Sequence, residues 1–188
     1  MLQNKGLTEI PIIETERLIL RKITVDDVND IFEYASIPDV TIFVLWATHK
    51  TKLDSINFVK FADEQFNNNI SLIWGIVIKS EKKLIGSIEL RGWNTIHKCG
   101  DVGYTISKKY WNKGYVSEAM KAVIKFGFEI LHLNRIEAHC EEENIGSWKV
   151  IVKCGMKYEG TLREKVFIKE RFRSMKMYSI LKKEWKKL

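Results

Sequence analysis

The sequence predicts an α/β protein: one mixed sheet with helices on both faces, in the order β-α-α-β-β-β-α-β-α-β-β. Three features carry this. Leu72–Ile78, Leu84–Arg91 and Asp101–Ile106 are apolar, β-branched runs, the first two joined by Lys-Ser-Glu-Lys-Lys, which reads as an antiparallel meander. A long amphipathic helix follows at Val116–Leu131: Val116, Ala119, Met120, Val123, Ile124 and Leu131 line one face, with Glu118, Lys121, Lys125 and Glu129 opposite. Ile136, Ala138 and Cys140 then alternate on a strand, and a strand–helix–strand unit of this length implies parallel pairing with a right-handed crossover.

The other elements follow from local signals. Arg17–Lys22 reads as the first strand. Thr24-Val-Asp-Asp27 caps a helix whose apolar residues Val28, Ile31, Phe32 and Ala35 recur at i, i+3, i+4 and i+7. Thr51-Lys-Leu-Asp54 starts a second helix that runs to about Asn67, and Trp46 falls in the turn between the two. Ser147–Cys154 reads as a short helix closed by Gly155 at the position after its end. Val166–Ile168 and Ser174–Leu181 form a last antiparallel hairpin, whose exposed final strand allows a monomer or a homodimer. With 188 residues, two prolines, no repeat and no linker, residues 1–188 are expected to make a single domain.

Composition excludes several classes. An apolar fraction of 45% supplies a core and argues against disorder. No apolar run approaches the length of a membrane span, and the polar N-terminus (Gln3, Asn4, Lys5) lacks a signal-peptide core, which points to the cytoplasm. Cys99, Cys140 and Cys154 are widely spaced and read as reduced thiols. His49, His97, His132 and His139 show no metal-binding spacing, so no metal is expected, and none stands in an obvious catalytic position. The net charge of +7 is local, because residues 163–188 hold ten Lys or Arg against three Glu. Such a basic end is usually a solvated face. An RNA-binding surface with Phe167, Phe172 and Tyr178 interleaved is the rival reading, but no RNA-binding module signature accompanies it. The glycine signatures of dinucleotide-binding and P-loop proteins are absent too.

Lys109-Tyr-Trp-Asn-Lys-Gly-Tyr-Val-Ser-Glu118 is the most informative stretch. Gly114 allows a turn at the start of the long helix, whose first amides then point outward without partners. Unpaired amides at the positive end of a helix dipole form a receptor for phosphate groups.

Order and motifs together resemble the GNAT family of N-acetyltransferases, and most of all its RimJ/RimL-type branch, which includes ribosomal-protein acetyltransferases. The resemblance spans nearly the whole chain: Glu14-Thr-Glu-Arg-Leu-Ile-Leu-Arg21, Leu84-Ile-Gly-Ser-Ile88, Asp101-Val-Gly-Tyr-Thr-Ile106, Tyr110-Trp-Asn-Lys-Gly-Tyr-Val-Ser-Glu-Ala119, Leu133-Asn-Arg-Ile136, Asn144-Ile-Gly-Ser147, Lys153-Cys-Gly-Met156 and Tyr178-Ser-Ile-Leu181. In the family loop, commonly Arg/Gln-x-x-Gly-x-Gly/Ala, Trp111 takes the first position, Gly114 the central one, and Val116 stands where Gly or Ala is usual. Ser174 departs from the branch as well, at a position where Asp is frequent.

The resemblance implies a splayed sheet and acetyl-CoA as cofactor. Its diphosphate is expected on the amides of Lys113, Gly114, Tyr115, Val116 and Ser117, beside Trp111 and Asn112. The pantetheine arm is expected along Gly103, Tyr104, Thr105 and Ile106, with Asn144 and Lys153 also in the cofactor's surroundings. Ser147 is implied near the thioester sulfur, where it can protonate the leaving thiolate; its plainer role is helix capping. The general base is left among Glu89, Asp101 and Glu164, each otherwise a surface carboxylate. Trp46 is implied to line the substrate slot. Cys140 alternates with core residues and reads as packing rather than as a nucleophile, so direct transfer in a ternary complex is expected. The acceptor is an amine: the N-terminal α-amine of a protein, a ribosomal one among the candidates, or alternatively a polyamine, aminoglycoside or amino acid.

Overall fold

The computed structural model describes residues 7–94 and 96–185. Among the described residues, eight strands form one sheet in the order β1-β2-β3-β4-β5-β6-β8-β7. They are β1 (Ile13–Glu14), β2 (Leu18–Lys22), β3 (Ser71–Ile78), β4 (Lys83–Asn94), β5 (Cys99–Ile106), β6 (Arg135–Glu141), β7 (Lys157–Ile168) and β8 (Arg171–Leu181). Around it lie α1 (Val28–Ala35), α2 (Pro38–Thr41), α3 (Lys52–Asn67), α4 (Tyr115–Glu129), α5 (Ile145–Lys153) and α6 (Lys182–Trp185). The expected class, a mixed sheet with helices on both faces, is the observed one.

Two apolar cores explain why both faces are covered. On one face α4 presses Ala119, Met120, Val123, Ile124 and Phe128 onto Leu72, Trp74, Ile88, Leu90 and Ile136, and α5 adds Ile151. On the other, Ile31 and Ala35 of α1 and Val59 and Ala62 of α3 cover Ile73, Val77 and Leu84. β3 serves both cores and is buried along its whole length. Each fully buried large aliphatic contributes on the order of 1.5–3 kcal/mol. The buried Trp74 also satisfies its one polar atom, donating from Nε1 to the Pro11 carbonyl at 2.7 Å.

Both expected capping boxes are formed, the one at Thr51 on α3 and the one at Thr24 on a 3-10 turn (Val25–Asp27) that leads into α1. The Thr24 amide donates to Asp27 Oδ2 and the Thr51 amide to Asp54 Oδ2, each at 2.8 Å. The meander from β3 to β5 is antiparallel throughout. β5 and β6 are parallel, and their pairing consists of Cys99↔Arg135, Gly100↔Ile136 and Asp101↔Glu137. Past Asp101 the two strands diverge, so the sheet is splayed at its centre as the resemblance implied.

Several expectations are corrected. The first strand begins at Leu18 rather than Arg17, and a two-residue β1 pairs with it. The four-residue α2, begun by Pro38, separates Trp46 from α1, so Trp46 lies in the loop between α2 and α3. α4 starts at Tyr115 and ends at Glu129, not Val116–Leu131. α5 starts at Ile145 instead of Ser147, because Asn144 is its cap and accepts from the Ser147 amide at 3.1 Å. β7 extends back to Lys157, and shifts of register between Tyr158 and Gly160 and between Leu162 and Val166 hide it from an alternation test. The final strand is not at an edge: β8 lies between β6 and β7, and β7 forms the edge on that side of the sheet.

Candidate active site

The phosphate loop is built by two left-handed residues. Asn112 has φ 60° and Gly114 φ 81°, the latter as the cap of α4. The first helical bond of α4 runs from Glu118 N–H to the Gly114 carbonyl at 3.1 Å, so the amides of Tyr115, Val116 and Ser117 precede it and have no acceptor within the helix. The Val116 side chain is buried in the core under α4, which keeps its branched carbons out of the phosphate path. Trp111 pins the loop to the end of β5: its Nε1 donates to the Ile106 carbonyl at 3.0 Å.

Arg17 was not foreseen here. Its Nη1 donates to the Lys113 carbonyl at 3.1 Å, its Nε pairs with Glu118 at 2.6 Å, and its guanidinium lies 4.5 Å from the centre of the Tyr115 ring. A cation thus stands beside the loop, contributed by the turn before β2. Lys113 stacks its ammonium over Tyr110 at 5.2 Å, and Lys153 closes the last turn of α5.

The gap between β5 and β6 is bridged on the α4–α5 side by hydroxyls. Tyr104 Oη and Ser147 Oγ are 2.8 Å apart, and Tyr104 Oη also donates to the Ser147 carbonyl at 3.2 Å. Burial drives the Tyr104 phenol far above its ordinary value, so it is a protonated donor at neutral pH. Burial likewise pushes the Cys140 thiol up to about 11, leaving it a poor nucleophile. Gly103, Tyr104 and Thr105 pair with Glu89, Ile88 and Ser87 of β4, while their β6-facing edge lies beyond the last β5–β6 pair.

On the opposite face of the gap runs a chain of charges. Glu89 Oε1 accepts from Arg91 Nη1 at 2.6 Å, Arg91 Nη2 lies 2.7 Å from Asp101 Oδ1, and Asp101 Oδ2 lies 2.5 Å from Nδ1 of His139. Gly103 gives Glu89 its room, since a Cβ there would come within 2.9 Å of Glu89 Oε1. Burial raises the Glu89 carboxyl above its ordinary range, and the Arg91 charge opposes that rise. Asp101, Glu137 and His139 offer donor atoms within 4.8 Å of one another. Arg91, shared with Glu89, lies against Asp101, and Arg135, shared with Glu159, sits 2.6 Å from Glu137.

Two of the three candidate bases, Glu89 and Asp101, therefore belong to one network. Glu164 stands apart on the edge strand, exposed, at φ 49°, with its amide donating to Ser174 Oγ at 3.1 Å. Ser174 thus braces the irregularity of β7 between Leu162 and Val166. Trp46 is half-buried against the α1–α3 core and packs on His49 with ring centres 5.1 Å apart. Sequence reasoning missed Arg91 and His139. Their signal was the alternation itself: if Ile136, Ala138 and Cys140 face the core, Glu137 and His139 face the gap.

The family model described as "Acetyltransferase (GNAT) domain" matches residues 17–157. The chain is 31% identical over 172 residues to the uncharacterized N-acetyltransferase YoaA of Bacillus subtilis, covering 92% of this chain and 97% of YoaA. It is 30% identical over 110 residues to the spermidine N(1)-acetyltransferase of Vibrio cholerae, covering 58% of this chain and 64% of that protein. A crystal structure of a GNAT-family acetyltransferase from Bacillus anthracis superposes with a TM-score of 0.82 at 30% identity, covering 92% of this chain and 99% of that one. Fold, phosphate loop and splayed strands together define an acyltransferase. The chain belongs to the GNAT family and is an acetyl-CoA-dependent N-acetyltransferase.

Proposed function

We propose that this enzyme acetylates the N-terminal α-amine of a protein or peptide, a ribosomal protein being the candidate natural acceptor, by direct transfer from acetyl-CoA in a ternary complex in the cytoplasm. The diphosphate rests on the amides of Tyr115, Val116 and Ser117 with Arg17 alongside. The pantetheine arm runs along the unpaired edge of β5 from Gly103 to Thr105. A backbone N–H in the gap polarises the thioester carbonyl, and Ser147, backed by Tyr104, protonates the thiolate. The neutral thiol of Cys140 speaks against an acetyl-enzyme.

One observation carries the choice of acceptor. Each acidic residue on the far side of the gap lies against an arginine, though the arginines are shared: Arg91 between Glu89 and Asp101, Arg135 between Glu137 and Glu159, and Arg173 on Glu141 alone. A polyamine carries several positive charges at neutral pH and calls for carboxylates left free; a single α-amine does not. An α-amine also has an ordinary pKa of about 7.7–8.0, against about 10.4 for a lysine amine, and so is far more easily deprotonated at neutral pH. The motifs shared with the ribosomal-protein acetyltransferase branch support the same reading, whereas the similarity to a spermidine acetyltransferase favours a polyamine.

The test is mass spectrometry after incubation with acetyl-CoA and alanine- or serine-initiated peptides, with spermidine and an aminoglycoside in parallel. The expected product carries the acetyl group on the peptide α-nitrogen. Modification of spermidine or the aminoglycoside with untouched peptides overturns the acceptor assignment and leaves the enzyme class intact.

A further inference from the structure

β6 runs beyond its last pair with β5, Asp101↔Glu137, and His139 is the first side chain past that pair on the Glu137 face. It therefore stands where the two strands part, at the mouth of the gap. Its Nδ1 lies 2.5 Å from Asp101 Oδ2. An ionised carboxylate only accepts, so Nδ1 carries the hydrogen, and the lone pair of the neutral form of the ring then lies at Nε2. The side chain is 25% exposed, so the ring is not sealed from solvent. Asp101 is held in turn by Arg91, so the carboxylate that orients the ring is itself oriented.

The charged groups around the ring come from each neighbouring element. β4 supplies Arg91 with Glu89 behind it, β5 Asp101, and β6 Arg135, Glu137 and Glu141. β8 places Met177 directly opposite and Arg173 on Glu141, while Lys169 at the hairpin tip reaches the Thr41 carbonyl. Lys176, opposite Cys140, turns to the other face and pairs with Glu142 at 3.7 Å. Glu89 is the rival, but its Oε1 is held by Arg91 at 2.6 Å, and the Ser71 hydroxyl lies 3.4 Å from Oε2 and 3.5 Å from the Leu90 carbonyl. Imidazole is the one side chain whose ordinary pKa, about 6.5, suits proton exchange near neutrality.

We infer that His139 is the base that takes the acceptor amine's proton, with Asp101 as its positioning residue, an inference that rests on the acetyl-transfer reading. The amine nitrogen bonds to the acetyl carbon, the carbon–sulfur bond breaks, and the electron pair leaves on sulfur. The nitrogen's proton goes to His139 Nε2, and the thiolate takes one from the Ser147–Tyr104 hydroxyl pair. Solvent returns the two groups to their starting states. Products are the acetamide and CoA thiol, with no net redox change.

His139→Asn decides the matter, because its amide keeps an N–H donor for Asp101 and removes the base. Thiol release is followed at saturating acetyl-CoA, with an alanine-initiated pentapeptide and spermidine supplied together as acceptors. H139N is expected to lower kcat by about 10²–10⁴, the usual range for a lost acid or base, and to lose the acidic limb of the wild-type kcat profile. Added imidazole should restore part of the rate to H139A. D101N should lower kcat without changing KM for acetyl-CoA. Calorimetry with CoA, which reads the cofactor assignment alone, should return the same Kd for wild type and H139N. If H139N turns over within about threefold of wild type, or E89Q removes the acidic limb while H139N keeps it, His139 is not the base.

Discussion

Ser147 has two structural ties that pull its roles apart. Its backbone amide is taken by Asn144, which relieves its hydroxyl of capping duty, and the hydroxyl faces Tyr104 at 2.8 Å instead. A hydroxyl freed from the helix start and backed by a protonated phenol is placed to supply a proton. Ser147→Ala is expected to lower kcat by about 10- to 100-fold, the lower part of the range for a general acid because Tyr104 or water can partly substitute. Stopped thiol-release assays measure this, and CoA affinity by calorimetry should not change. Wild-type turnover in S147A would reduce the residue to packing. Cys140→Ala should remain active, since burial keeps the thiol neutral with a value of about 11. Recovery of an acetyl group on Cys140 from the resting enzyme would contradict direct transfer.

At the level of elements, the phosphate loop depends on backbone that only glycine adopts easily. Gly114 sits at φ 81° and ψ 0°, and its replacement by valine forces a branched residue into the left-handed region at about 1–3 kcal/mol. Because those amides bind only when the turn is intact, the Kd for CoA should rise roughly tenfold or more in G114V; an unchanged calorimetric Kd would remove the diphosphate from this loop. The three-strand join at the other end of the sheet responds to pH. Arg135 and Ser179 hold the Glu159 carboxylate down at about 2, from an ordinary 4.5. A depressed folded value means this contribution is fully present above about 4.5 and lost as pH falls toward about 2. Glu159 is 40% exposed, so the effect is small: E159Q should lower the melting temperature slightly at pH 7 and flatten its decline over that window. How much of this was legible follows from periodicity. α3, α4 and the meander announced themselves through long, regular patterns and capping pairs. α2 spans Pro38–Thr41 and β7 is broken by two irregularities, so neither offers a period to detect. The contact between Asp101 and His139 joins residues 38 apart through the register of two parallel strands, which no local window contains.

Across the whole molecule, much of the sequence's basic C-terminal segment is tied into the fold. The excess of +7 lies in residues 163–188, of which Lys186 and Lys187 fall outside the described residues. Of the rest, Arg173 is buried against Glu141, Arg171 and Lys176 lie 3.7 Å from Glu143 and Glu142, Lys182 donates to the Phe128 carbonyl at 2.8 Å, and Lys169 to that of Thr41. These cations tie β8 to β6 and the loop after it, the β7–β8 turn to α2, and α6 to α4. Binding to a phosphate backbone draws its strength from releasing counterions, one per phosphate neutralised, with a salt slope of about −0.7 per contact on single strands. With five of the eight described cations held by carboxylates and carbonyls, and Arg163, Lys165 and Lys183 exposed, the surface has few cations free to release counterions. The enzyme should therefore bind a fluorescent single-stranded RNA more weakly than about 10⁻⁵ M at 150 mM salt by anisotropy, at the weak end of ordinary non-specific affinity. Its logarithmic salt slope should be shallower than about −2, fewer than three phosphate contacts. Nanomolar binding with a steep slope would show a basic face able to recruit RNA, and would bring back the nucleic-acid reading that the charge count alone suggests.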